Sequence, residues 1–227
     1  MLFVESTSDW RLIHPGAQIG LLEIAQVENS RPCPALEERK LALAEELRQR
    51  YGHLSRAELV KLPVMDAYVR YYKRFDKTYP VLLQLESVLH KGKNFHKVSP
   101  LVDANFMAEL ETFVLTASHD VDQLQDKLWM DVARPGDTMV QMGGAVKQIP
   151  PNDMILRDEQ EICCSIIYGQ DNCSPITPKT THVLYVTYAP AGVPSEAIQT
   201  YWQKVLDTVK LCSPEAKIEQ QRLLTAN

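Results

Sequence analysis

No run of ~18 consecutive apolar residues occurs in this 227-residue chain, so no segment reads as membrane-spanning. The N-terminus has no basic stretch followed by an apolar core, and no secretory signal is expected there. Glycine is scarce, at nine residues, and none of them builds a phosphate-cradling loop or a GxSxG nucleophile elbow. Cys163, Cys164 and Cys173 lack CxxC pair spacing, and no two histidines stand four residues apart. No metal site and no cofactor are therefore expected. The odd count of five cysteines fits a reducing cytoplasm, with Cys163 and Cys164 read as buried free thiols in a β-like run. A net charge of −5 excludes a generally basic nucleic-acid coat, and no DNA-reading motif is present.

What is present is an ordinary globular composition, 45% hydrophobic and 23% charged, in a chain long enough to bury its own core. Residues 17–28 are rich in branched side chains and predict a strand. A helix is expected over 35–51, with Leu36, Leu43 and Leu47 inward, acids early and Gly52 at its end. Ser55 and Glu58 form a capping-box pattern ahead of a short helix. Helices are further expected over 65–77, 81–90 and 101–114. The pattern then turns to strands: a hairpin over 137–149 with Gly143-Gly144 at its tip, a turn at 150–153, and strands near 154–156, 161–168 and 182–188. An amphipathic helix spans 194–211, and residues 213–227 read as a polar tail, docked loosely or not at all. Helices and strands are grouped rather than alternating, which gives a single α+β domain over residues 1–227 with helices on a mostly antiparallel sheet.

Charge is unevenly placed. Between Arg70 and Lys97 stand Arg70, Lys73, Arg74, Lys77, Lys91, Lys93 and Lys97 against Asp76 and Glu86, a local +5 from seven cations and two carboxylates. The first four recur at helical spacing and predict one positive helix face, with Tyr68, Tyr71, Tyr72 and Phe75 toward the core. Such a face suits phosphate, or else surface acids that pair with it. The loop Lys91–Lys97 adds a glycine and Phe95, which either stacks on a base or tucks into the core. His119-Asp120 is a candidate for general-base work, but neighbours on an extended chain point apart, and Asp120 reads as the cap of the following turn.

The apolar-faced helix opening Pro100-Leu-Val-Asp103 and the small-residue turn leading to Ser118-His-Asp120 resemble a known motif. It stands at the centre of the tRNA-editing (B-three/B-four) domain of the phenylalanyl-tRNA synthetase beta subunit. The likeness runs in the same order from about residue 63 to 189. It includes the basic lead-in and the threonine-containing turn and strand Ile176–Leu184. The resemblance implies an α+β fold with a central pocket, and a stand-alone module that handles tRNA or aminoacyl-tRNA. In full synthetases this domain hydrolyses tyrosine wrongly attached to phenylalanine tRNA.

Carried over without gaps, the family's pocket positions fall on Asn105, Ala117, Gly169 and Val186. The family's histidine stands where this chain has Ala117, and its glutamate where this chain has Val186. Deacylation by the same side chains is therefore not expected, and His119, offset by two residues, is expected to turn away from the pocket. Nothing resembles an ATP-binding synthetase core. Two other readings stay open: an amino-acid-like pocket protein that has lost RNA, and a protein-interaction module using the basic helix.

Overall fold

The computed structural model describes residues 2–95 and 97–227. In chain order the elements are β1 (Phe3–Ser6), α1 (Ser8–Ile13), β2 (Gln18–Ala25), α2 (Pro34–Tyr51), α3 (Arg56–Leu59), α4 (Pro63–Lys73), α5 (Pro80–His90) and α6 (Pro100–Thr112). Then come β3 (Thr116–Asp120), a 3₁₀ turn (Val121–Gln123), β4 (Lys127–Val132), β5 (Thr138–Val140), β6 (Val146–Gln148), β7 (Met154–Arg157) and β8 (Ile162–Ser165). β9 (Gly169–Gln170), β10 (His182–Ala189), α7 (Ser195–Cys212) and β11 (Lys217–Thr225) complete the chain. The fold is α+β. No described helix is long and apolar enough to cross a membrane.

Local chemistry explains most boundaries. Proline stands in the first turn of α2, α4, α5 and α6, where its missing N–H costs nothing. The capping box of α3 forms, with the Ser55 N–H donating to Glu58 Oε2 at 2.8 Å. α6 stops at Phe113, whose φ of 63° is left-handed. α4 stops four residues earlier than its periodicity predicts, because Asp76 takes φ 54° and turns the chain back on itself.

Two sheets face each other across the main core. One has the order β11-β2-β10-β3 and is antiparallel throughout; the other runs β1-β4-β7-β8-β9, with only β1 and β4 parallel. Alternation along β7 sends Met154 and Leu156 into this core. The same alternation sends Ile155 to a satellite cluster with Ala133, Met139, Ile149 and Ile162 beside the β5–β6 hairpin. α6 and α7 pack on the outer face of the first sheet. The approach of α7 is so close that a Cβ on Gly20 would come within 2.5 Å of Ile198. Any larger residue at position 20 pushes α7 off β2.

Two expectations are corrected, and one link was not expected. Residues 213–227 are not a loose tail, since β11 pairs along the whole of β2. Its polar residues are tolerated because β11 is an edge strand with one side in solvent. The turn expected at Thr116–Asp120 is strand β3, held by β10 in the register Ala117↔Val186 and His119↔Leu184. Cys33 and Cys212 are joined by a disulfide tying the start of α2 to the end of α7, a link that a reducing compartment would keep open as two thiols. Cys163 and Cys164 are free and buried, as expected.

Candidate functional site

A cavity of about 280 Å³ opens where the two sheets meet at the β3–β10 and β8–β9 edges. Tyr72, Thr116, Ser165, Tyr168, Gly169 and Tyr188 are among its lining residues. Two residues of this lining have their hydroxyls bonded to buried carboxyls. Thr116 Oγ1 lies 2.6 Å from Glu109 Oε1 and 2.7 Å from Asn105 Oδ1, while the Thr116 N–H donates to Glu109 at 2.8 Å. Tyr201 donates its hydroxyl to Asn105 as well. Across the cavity Ser165 donates to Asp153, which also accepts from Tyr71 at 2.7 Å and from the Ile167 N–H at 3.2 Å. Burial pushes Glu109 up to about 7 and Asp153 up to about 6, with these hydrogen bonds pulling the other way. Two acceptors share the single Thr116 hydroxyl proton, and a protonated Glu109 resolves the excess by donating back.

Neither carboxyl stands out in the sequence. The available signal for Glu109 is its place one helical turn after Asn105, on a helix otherwise apolar and small on that side.

The positions carried over from the resemblance are only partly brought together. Gly169 lines the cavity. Ala117 and Val186 are paired neighbours on the sheet face turned toward the second sheet. They stand beside lining residues Thr116 and Tyr188. Asn105 lies on the helix side of the sheet, behind Thr116, and does not line the cavity.

His119 corrects another expectation. A two-residue offset along a strand keeps the same face, so His119 shares the face of Ala117 rather than turning away. Its ring is fully buried, with Nδ1 2.7 Å from Ser174 Oγ and Nε2 without a partner. Burial lowers its pKa to about 4. It is neutral at pH 7 and does not reach the cavity. Asp120 caps the 3₁₀ turn by accepting from the Asp122 N–H at 3.1 Å, and accepts from Thr180 at 2.6 Å.

The basic residues divide into two groups held by different elements. Arg70 pairs with Asp66 at 2.9 Å, and the Arg74 guanidinium lies 5.4 Å from the Tyr71 ring centre and 5.5 Å from that of Phe75. Both arginines line a cleft with His14, whose Nε2 is unpartnered and whose pKa falls to about 4 through burial and Arg74. Lys77 does not continue the helix face. It follows the Asp76 turn, and its ammonium stands 5.7 Å from the ring centre of Tyr168 at the cavity. Lys91, Lys93 and Lys97 are exposed on the loop after α5, which Arg48 of α2 fastens through the Lys93 carbonyl at 3.3 Å. Phe95 packs edge-on against Phe106 at 5.9 Å rather than standing free, and His96 lies outside the described residues. Tyr68, Tyr71 and Tyr72 are buried.

Glu109 gives a pH test of this geometry. The folded carboxyl holds its proton up to about pH 7, against an ordinary 4.5. The stability it contributes is complete below 4.5 and lost as pH rises through about 7. Wild type should therefore lose about 2.5 kcal/mol more than Glu109→Gln between pH 5 and pH 8.5, read by urea denaturation. Parallel pH profiles would place a solvated carboxylate at 109.

The model of the B3/4 domain matches residues 64–204. Among solved structures, an N-terminal fragment of the phenylalanyl-tRNA synthetase beta-subunit from Pyrococcus horikoshii is similar, with a TM-score of 0.48 and 8% sequence identity. The likeness covers 98% of this chain and 54% of that one, so the chain spans about half the length of the fragment. No curated protein matches. With the domain match extending over more than half of its residues, the chain belongs to the B3/4 domain family.

Proposed function

We propose that this chain is a tRNA-associated module. It seats the aminoacyl end in the cavity between the sheets and takes neighbouring phosphates on the basic end of α4. The observation that carries this reading is Lys77, four residues past the end of α4, whose ammonium stands over the ring of Tyr168 at the cavity. The cavity's size suits an amino-acid-sized group, and its lining includes Tyr72, Tyr168 and Tyr188 for an aromatic side chain. Lys73 and Arg74 are exposed on the same helix end, and neither is in an ion pair among the described residues. Lys91, Lys93 and Lys97 would extend the phosphate track only for an RNA long enough to reach the α2 side.

A second reading takes the same cavity without the RNA, as a site for a free amino-acid-like ligand. The net charge of −5 and the enclosure of the two hydroxyl–carboxyl pairs favour it. Salt dependence separates the two. Phosphate contacts release counterions and make binding fall steeply with salt, whereas a neutral buried pocket does not. Retention of total tRNA by the purified chain over a salt series is the test. Retention that weakens with salt supports the first reading, and none at low salt removes it.

A further inference from the structure

Away from the cavity, the turn between β7 and β8 and the loop after β9 bring three side chains together that the sequence keeps ten and two residues apart. We propose that Glu161, Asp171 and Cys173 form a binding site for one divalent cation of borderline softness, with zinc as the type case. Their ligand atoms all lie within 4.8 Å of one another. Asp171 is 1% exposed, and neither of its carboxylate oxygens has a hydrogen-bond partner at bonding geometry. Only weaker contacts from the Cys173 thiol and from the Cys173 and Ser174 N–H groups bear on it. Among the described residues no ion pair reaches Glu161 or Asp171. A buried carboxyl with an acid and a thiol beside it and no cation is a set of like ligands without a centre.

Backbone hydrogen bonds hold the segments that carry these ligands. The Asp171 N–H donates to the Cys163 carbonyl at 3.0 Å, and the Asn172 N–H donates to that of Val140 at 3.1 Å. The Glu161 N–H donates to Asp158 Oδ1 at 2.8 Å. Burial raises Asp171 to about 6, and burial with the two neighbouring acids raises the Cys173 thiol to about 12. A bound cation reverses both trends by stabilising carboxylate and thiolate; on binding, the thiol proton passes to solvent and a metal–sulfur bond forms.

The donor set decides the ion. Calcium and magnesium prefer all-oxygen shells, whereas zinc accepts sulfur and carboxylate oxygen together, with water at a fourth position. The ion would pin the loop that carries Ser174, which accepts from the Asp120 N–H at 3.0 Å through its carbonyl and meets His119 through its hydroxyl.

Cobalt(II) titration of the full chain tests this, because thiolate ligation gives a charge-transfer band in the near ultraviolet. One equivalent should produce the band, and zinc should abolish it. Cys173→Ser should lose the band. Asp171→Asn and the surface change Glu161→Gln should each weaken binding beyond the ~10–100-fold that loss of an outer-shell partner costs. Affinity should rise with pH. Absence of the band, or a band unchanged in Cys173→Ser, overturns the site. If Cys173→Ser does not fold, Glu161→Gln decides: unaltered affinity there overturns it equally.

Discussion

Tyrosine-charged phenylalanine tRNA is expected to be deacylated by this chain roughly 10²–10⁴-fold more slowly than by a site with a positioned acid or base, the usual contribution of such a group. Ala117 and Val186 present only apolar surface on the face next to the cavity. His119 is buried against Ser174 and held neutral. Cys164 lines the cavity, but burial pushes its thiol far up, so no thiolate is available as a nucleophile. Two carboxyls near neutrality border the cavity, Glu109 and Asp153, and they stand behind Thr116 and Ser165 rather than in it. Deacylation by wild type, His119→Gln and Glu109→Gln checks this. Rapid turnover in wild type contradicts the expectation, and its loss in Glu109→Gln alone would make Thr116–Glu109 the acting pair.

Lys40→Ala should cost about 3–5 kcal/mol of folding stability, the range for stranding one member of a buried ion pair. Lys40 of α2 and Asp103 of α6 are each 4% exposed and bonded to each other through Nζ and Oδ2. Lys40 also reaches Glu37 at 3.0 Å, and Asp103 accepts from the Val98 N–H at 3.0 Å. Without the lysine, Asp103 keeps that single N–H in a buried setting. The double change Lys40→Met with Asp103→Leu should recover most of the loss, because two apolar side chains leave no uncompensated charge. Guanidinium denaturation of wild type and these two variants is the measurement. A loss below about 1 kcal/mol in Lys40→Ala would mean that the pair behaves as a surface one.

Helices and strands with strong periodicity are legible in the sequence. α2, α3, α5, α7, β2, β10 and the β5–β6 hairpin follow from spacing, caps and turn glycines, within a few residues of the observed ends. What periodicity does not show is where a single residue takes a left-handed conformation. Asp76 does so and removes Lys77 from the helix face, placing it instead at Tyr168. Edge strands are also hidden. β3 is short and polar, and β11 reads as solvated, because edge positions do not need the continuous apolar pattern of a central strand.

The candidate site is legible only in outline. Gly169 falls at the cavity and Ala117 and Val186 fall beside it, but the hydroxyl–carboxyl pairs depend on the meeting of α6 with β3 and of the turn before β7 with β8. The Cys33–Cys212 disulfide and the Glu161–Asp171–Cys173 trio join positions whose spacing carries no recognisable pattern.

The central claim, that nucleic acid is held on the basic end of α4 beside the cavity, is tested most directly by the salt dependence of tRNA binding. Wild type is compared with Lys73→Glu/Arg74→Glu. Both residues are exposed, so the double change should leave folding intact. The account predicts weaker binding at every salt concentration and a slope of log K against log salt reduced by about two, one for each phosphate no longer neutralised. An unchanged affinity and slope would contradict it.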